Sequence, residues 1–268
     1  MNLQMYLKEV RKNGERSFTI SQLIEHFQIS DNHARVALHR LMRSGDLISP
    51  AQGLYIIVPP ERQPFGAIPA EEIVPILMKY LEADYYVGLL SAAAVHGASH
   101  QKPAKFQVVS NKRLKHSLSF GKVEIELIYK KSLSNLPTQN LVVPTGYLKV
   151  ATPELVAIDL LNYSSRVGGL NHIATVLSEL IENLDAEKLI KLAKETDSQY
   201  QLQRIGYILE KIDVMDNEKK NSTIELLSNF IAINIKSYKP IAPEVTSQGY
   251  ARCKKWKIIE NADIESDL

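Results

Sequence analysis

Four prolines within eleven residues, in PPERQPFGAIP at positions 59–69, set the strongest limit on how this chain folds. Proline has no amide hydrogen to donate and its ring crowds the preceding turn. Neither an α-helix nor a central strand is expected to run through such a stretch. It reads as a stiff linker, and the 268 residues divide into segments 1–62 and 63–268. That length suffices for two domains.

Before the prolines, Leu3, Tyr6, Leu7 and Val10 recur at helical spacing, which predicts a helix from about Asn2 to Lys12, stopped by Asn13-Gly14. RSFTI reads as a short strand. Ser21 is placed to cap a second helix through QLIEHFQI, with Leu23, Ile24 and Phe27 on one face. A third helix starts in SDNHARVALHRLMRSGDLI, residues 30–48. Ser30 is a good N-cap, and Asp31 sits where the helix dipole favours an anion. Ala34, Ala37, Leu38 and Leu41 form the predicted buried stripe. Asn32, His33, Arg35, Val36, His39, Arg40 and Arg43 share the opposite face, and Gly45 suits the left-handed position beyond the helix. DLIS and GLYIIV then pair as a hairpin, with Pro50 and Gly53 in or beside its turn. The order predicts a winged helix-turn-helix over residues 1 to about 60.

In such a module the N-terminal part of the third helix faces base edges in the major groove. Arginine pairs with guanine and asparagine with adenine through two hydrogen bonds each. Asn32, His33 and Val36 are therefore the expected base contacts, with Arg35, His39 and Arg40 beside them. Arg43 is expected on phosphate, and Gln52 is the expected contact of the hairpin turn. An isolated solvated helix shows the same face. The neighbouring elements and the hairpin are what favour double-stranded DNA as the partner. Thirty-two Lys and Arg against 30 Asp and Glu leave a net charge of only +2, so DNA binding must rest on a local patch.

After the prolines, EEIVPILMKYL reads as a helix despite Pro75, and YYVGLLSAAAVHG as a second helix. KFQVVS, VEIELIY and GYLKVA read as strands. This α/β part covers about residues 70–150. From about 151 to 235 the pattern is almost wholly helical, beginning with Thr152 as cap and Pro153 in the first turn. CKKWKIIENADIESDL reads as one short strand and an acidic tail. The predicted fold class is α+β: an N-terminal winged helix-turn-helix, then a mixed α/β domain whose C-terminal half is helical.

With these pieces in order, the chain resembles the AbiEi family, antitoxin regulators of type IV toxin–antitoxin (AbiE abortive infection) systems. The residues that carry the resemblance are ARVALHRLMRSGDLISPAQGLYII, YYVGLLSAAAVHGASHQKPAKFQVVSNKR, VEIELIYKK and VATPELVAIDLLNYSSRVGGLNHIATVLSEL. It extends from about Leu3 to about Ile212, and KKWKIIENADIES resembles the close of such proteins. The resemblance implies that residues 1–62 bind an operator and repress the chain's own operon. It implies that residues 63–268 counter a nucleotidyltransferase-like toxin without a stable complex.

Other constellations carry weaker signals. His96 and His100 are four apart, but Gly97 and QKP end the helix there, so a helix C-terminal role outweighs metal binding. Lys102, Lys105, Lys112, Arg113, Lys115, His116 and Lys122 make the most basic stretch outside the first module, a possible surface for an anionic partner or simply a charged loop. Glu124 and Glu126 share a strand face, but no lysine follows two positions after an acid, as a metal-dependent nuclease would have. No nucleophile elbow or phosphate loop is present, and Cys253 has no nearby histidine. No catalytic residue, metal or cofactor is expected, and the chain is read as a non-enzyme. A single cysteine, no apolar run of membrane length and no secretory signal predict a cytoplasmic protein. The competing readings are a ligand-responsive repressor and a nuclease with a winged helix.

Overall fold

The structure, a computed structural model, describes residues 2–98, 103–114, 117–215 and 217–264. It is a mixed α+β chain that divides into two compact units. The first contains Met1–Tyr86, Ala104–Leu133 and Asn140–Lys149. The second contains Val87–Pro103, Ser134–Gln139 and Val150–Leu268.

The first unit opens with α1 (Leu3–Lys12), β1 (Ser17–Thr19), α2 (Ile20–Phe27) and α3 (Asp31–Arg43), followed by β2 (Leu47–Ala51) and β3 (Leu54–Ile57). The strands form an antiparallel sheet in the order β1-β3-β2. The predicted stripe of α3 is the one buried: Ala34 and Leu38 are fully enclosed, with Ala37 and Leu41 beside them. Ala34, Leu38 and Leu41 join Leu7, Phe18, Leu23 and Tyr55 in one core. Tyr6 meets Phe18 edge-on at 5.3 Å, and Phe18 stacks on Tyr55 at 5.8 Å. Truncating a leucine so enclosed costs about 2–5 kcal/mol, so Leu38 anchors α3 to the sheet. The cap of α2 differs from expectation. Thr19, not Ser21, accepts from the Gln22 amide, and the Gln22 side chain answers the Thr19 amide. This reciprocal box satisfies two orphan donors, where Ser21 would satisfy one.

The proline stretch is not a featureless linker. Pro60–Phe65 is a 3₁₀ helix, closed through the amides of Arg62 (to Pro59 O, 2.8 Å) and Gly66 (to Gln63 O, 2.9 Å). Proline is tolerated where its missing donor is not called on. Helix α4 (Ala70–Tyr80) continues through Pro75. Where one helix was expected, Tyr85–Val87 forms β4 and Leu89–Val95 forms α5. Aromatic and β-branched residues favour a strand, and the extended Gly88 separates the two elements.

A six-stranded sheet follows the order β6-β7-β5-β4-β9-β8, with β5 (Phe106–Ser110), β6 (Leu118–Phe120), β7 (Val123–Tyr129), β8 (Thr138–Val143) and β9 (Gly146–Ala151). β5 and β7 are parallel, with Phe106 opposite Ile125 and Ser110 opposite Tyr129. β6 and β8 were not expected. β8 is exposed along nearly its whole length and gives no alternation to read.

The second unit is largely helical, as expected: α6 (Pro153–Asn162), α7 (Gly169–Leu180), α8 (Ala186–Glu195), α9 (Gln199–Lys211) and α10 (Asn217–Asn234). α6 is buried from Glu154 to Leu161. Thr152 occupies its N-cap, but the hydroxyl makes no capping bond and is buried without a partner among the described residues. The C-terminal stretch forms not one strand but two, β11 (Arg252–Cys253) and β12 (Ile258–Ile259). With β10 (Lys239–Pro240) they make a small sheet around the fully buried Trp256. The tail beyond residue 264 lies outside the described residues. Among the described residues, no helix is long and apolar enough to cross a membrane.

Candidate nucleic-acid interface

Helix α3 separates its residues by face. The Ser30 hydroxyl accepts from the His33 amide at 3.4 Å and starts the helix. Gly45, at φ 80°, ends it in a conformation that favours glycine. With one stripe buried, Asn32, His33, Arg35, Val36, His39, Arg40 and Arg43 are all exposed. Val36, apolar, is 47% exposed among them.

The three arginines are not equivalent. Arg35 reaches back one turn and grips Asp31 through Nε at 2.6 Å and Nη2 at 3.2 Å. That hydrogen bond, and the carboxylate's charge, push the guanidinium pKa further up. Arg40 and Arg43 make no ion pair among the described residues, and their guanidinium groups are open to an external anion.

Strand β2 of the hairpin packs against this helix. Gln52 is exposed at the hairpin tip, and its carbonyl accepts from the Tyr80 hydroxyl at 2.9 Å. Gly53 follows at φ 84°, and a β-carbon there would lie 3.0 Å from the same hydroxyl. Tyr80 was not singled out from sequence, since nothing in an α4 residue announces a contact 28 positions away.

The basic stretch of the larger segment is divided by the sheet. Lys105 leads into β5, at the end where Glu124 opens β7, and the two pair at 3.8 Å. Lys122 lies in the β6–β7 turn, its amide donating to Phe65 O. Lys112 and Arg113 lie at the other end of β5, near Tyr129, which ends β7. Lys102, Lys115, His100 and His116 lie outside the described residues. Glu126 accepts from Gln107 Nε2 at 3.2 Å. No group of three or more His, Cys, Asp or Glu suited to a metal occurs among the described residues. His96 closes α5, its ring nitrogen 2.7 Å from Ala151 O.

Residues 86–211 match the family model of the AbiEi antitoxin C-terminal domain, a match that supports an AbiEi-family antitoxin. The match runs from Tyr86 in β4 to Lys211 at the end of α9. That family is not known as one of enzymes. The fold also resembles the crystal structure of the RV2827C protein from Mycobacterium tuberculosis, at 14% identity and a TM-score of 0.62, over 95% of this chain and 89% of that one. No curated protein matches this sequence significantly.

Proposed function

We propose that this chain is an antitoxin that is also a DNA-binding autorepressor, and that residues 1–62 are its winged helix-turn-helix module. Helix α3 is the recognition helix, and the β2–β3 hairpin is the wing. The observation that carries this is the division of α3: four apolar residues fixed in the core and seven polar or exposed residues opposite them, including two arginines without an ion pair among the described residues. Asn32, His33 and Val36 lie at the helix N-terminus, where base contacts are made in this class of module. Arg40 and Arg43 supply charge to base or phosphate, and Gln52 follows the backbone from the wing. The partner is double-stranded operator DNA upstream of the chain's own reading frame.

The larger segment, residues 63–268, counters a nucleotidyltransferase-like toxin without holding it in a stable complex. The family match over residues 86–211 supports placing antitoxicity there. Two outputs of the same cells test the pair of roles. A reporter under the chain's own promoter should be repressed by the full chain and released by Arg40→Ala. Growth of cells expressing a nucleotidyltransferase-like toxin encoded beside this chain should be restored by both forms. Loss of rescue with Arg40→Ala would merge the two roles and contradict this division.

A further inference from the structure

We propose that the carboxyl ends of β5 and β7 form a second nucleic-acid site, which takes a single strand. In the parallel pair, Ser110 and Tyr129 are the last register partners, and the Lys130 amide extends the ladder to Ser110 O at 3.0 Å. Because the strands are parallel, both chains leave the sheet at the same end. One continues as Asn111-Lys112-Arg113, the other as Lys130-Lys131. Four cations from two distant stretches of sequence are thus gathered at one sheet end. Strand carboxyl ends are where open sheets hold ligands.

The stack at this end selects the ligand. The Arg113 guanidinium lies over the Tyr129 ring at 4.2 Å, and Tyr129 is 39% exposed. Arg113 and Lys131 have no carboxylate partner among the described residues. Lys112 Nζ donates to a neutral acceptor, Leu81 O, at 2.7 Å, so its charge stays uncompensated there. Lys130 Nζ lies 3.4 Å from the Tyr86 hydroxyl. The nearby acid is Asp84, held by Asn111, whose Nδ2 donates to the carboxylate at 3.4 Å. A planar guanidinium already seated on an aromatic ring presents its outer face to a further planar group. Duplex bases are stacked on one another and offer no free face. An unpaired base does, and single strands are bound by such aromatic and arginine planes flanked by lysines on phosphate. At the opposite end of the same strands the cation is compensated, since Lys105 is paired with Glu124 at 3.8 Å.

The site is separate from α3, so the two can be tested apart. A 5′-fluorescein-labelled oligouridylate dodecamer is titrated with the full chain, and anisotropy is followed at low and at raised salt. Binding that weakens with salt is expected. Tyr129→Ala and Arg113→Ala should each reduce affinity by about 5- to 150-fold. Tyr129→Phe, which keeps the ring, should bind as the parent does, and so should Arg40→Ala. Thermal melting of each variant checks that these exposed substitutions leave the fold intact. The proposal is overturned if the parent chain does not bind the dodecamer at low salt. It is equally overturned if Tyr129→Ala and Arg113→Ala bind normally, or if affinity is lost in Arg40→Ala instead. Failure of operator binding with retained dodecamer binding would count against the autorepressor and leave this site standing.

Discussion

The Tyr80 hydroxyl donates to the Gln52 carbonyl at 2.9 Å, tying the tip of the β2–β3 hairpin to the last turn of α4. A hydrogen bond of this kind contributes about 0.5–1.5 kcal/mol. If the tip lies on the DNA backbone, releasing it should weaken duplex binding by a comparable amount, about 2- to 10-fold. Tyr80→Phe removes only the oxygen. Its affinity for operator duplex, measured beside the parent, should fall within that range while the melting temperature changes little. Unchanged affinity would place Gln52 off the DNA.

The arginines of α3 should differ in effect. Arg40 makes no ion pair among the described residues, and its replacement by alanine should cost about 1–3 kcal/mol of operator affinity if it reads a base, with relaxed preference at one position. Arg35 is engaged with Asp31 through two hydrogen bonds. Arg35→Ala should therefore lose less affinity than Arg40→Ala in the same titration. The reverse order would mean that Arg35 leaves Asp31 on binding.

Gly206 faces Trp256 so closely that a β-carbon on residue 206 would lie 2.0 Å from the ring's Cζ3. The indole is fully buried, and Glu210 accepts from its Nε1. In an exposed helix Gly→Ala would stabilise by roughly 1 kcal/mol. Here the ring must move, and overpacking of this kind costs about 1–3 kcal/mol or more. Gly206→Ala should lower the urea midpoint, and a raised midpoint would refute the packing.

Asp185 caps α8, accepting from the Glu187 amide at 3.0 Å and the Lys188 amide at 3.1 Å. The Lys188 amide is the main reason its carboxyl is held below the ordinary value. A folded pKa below the unfolded one means that the cap contributes fully above the unfolded pKa, about 3.9. That contribution is lost as pH falls through the folded pKa. Asp185→Ala should cost about 1 kcal/mol at neutral pH. The difference from the parent should shrink in acid, as read by melting temperatures across the pH series.

Much of the first module was legible because its apolar residues repeat at one period and its caps are local. The stripe of α3, Ser30 and Gly45 all depend on residues within a few positions of one another. The cap of α2 was misplaced by two residues because Ser21 and Thr19 are both acceptable caps, and only the Gln22 reciprocity decides between them. β4 was hidden because YYV runs into the apolar α5 without a polar break. The burial of Trp256 was invisible, since it depends on a glycine 50 positions earlier. At the candidate sites, the exposed face of α3 could be read from period alone. The joining of Arg113 to Tyr129 could not, because it follows from the parallel register of β5 and β7.

The most direct test is a titration of the purified full chain against a labelled duplex from its own upstream region, with a scrambled duplex alongside, at several salt concentrations. The account predicts tight binding to the upstream duplex, much weaker binding to the scrambled one, and a loss of affinity as salt rises. Equal and weak binding to both duplexes would contradict it and leave the α3 face without DNA as its partner.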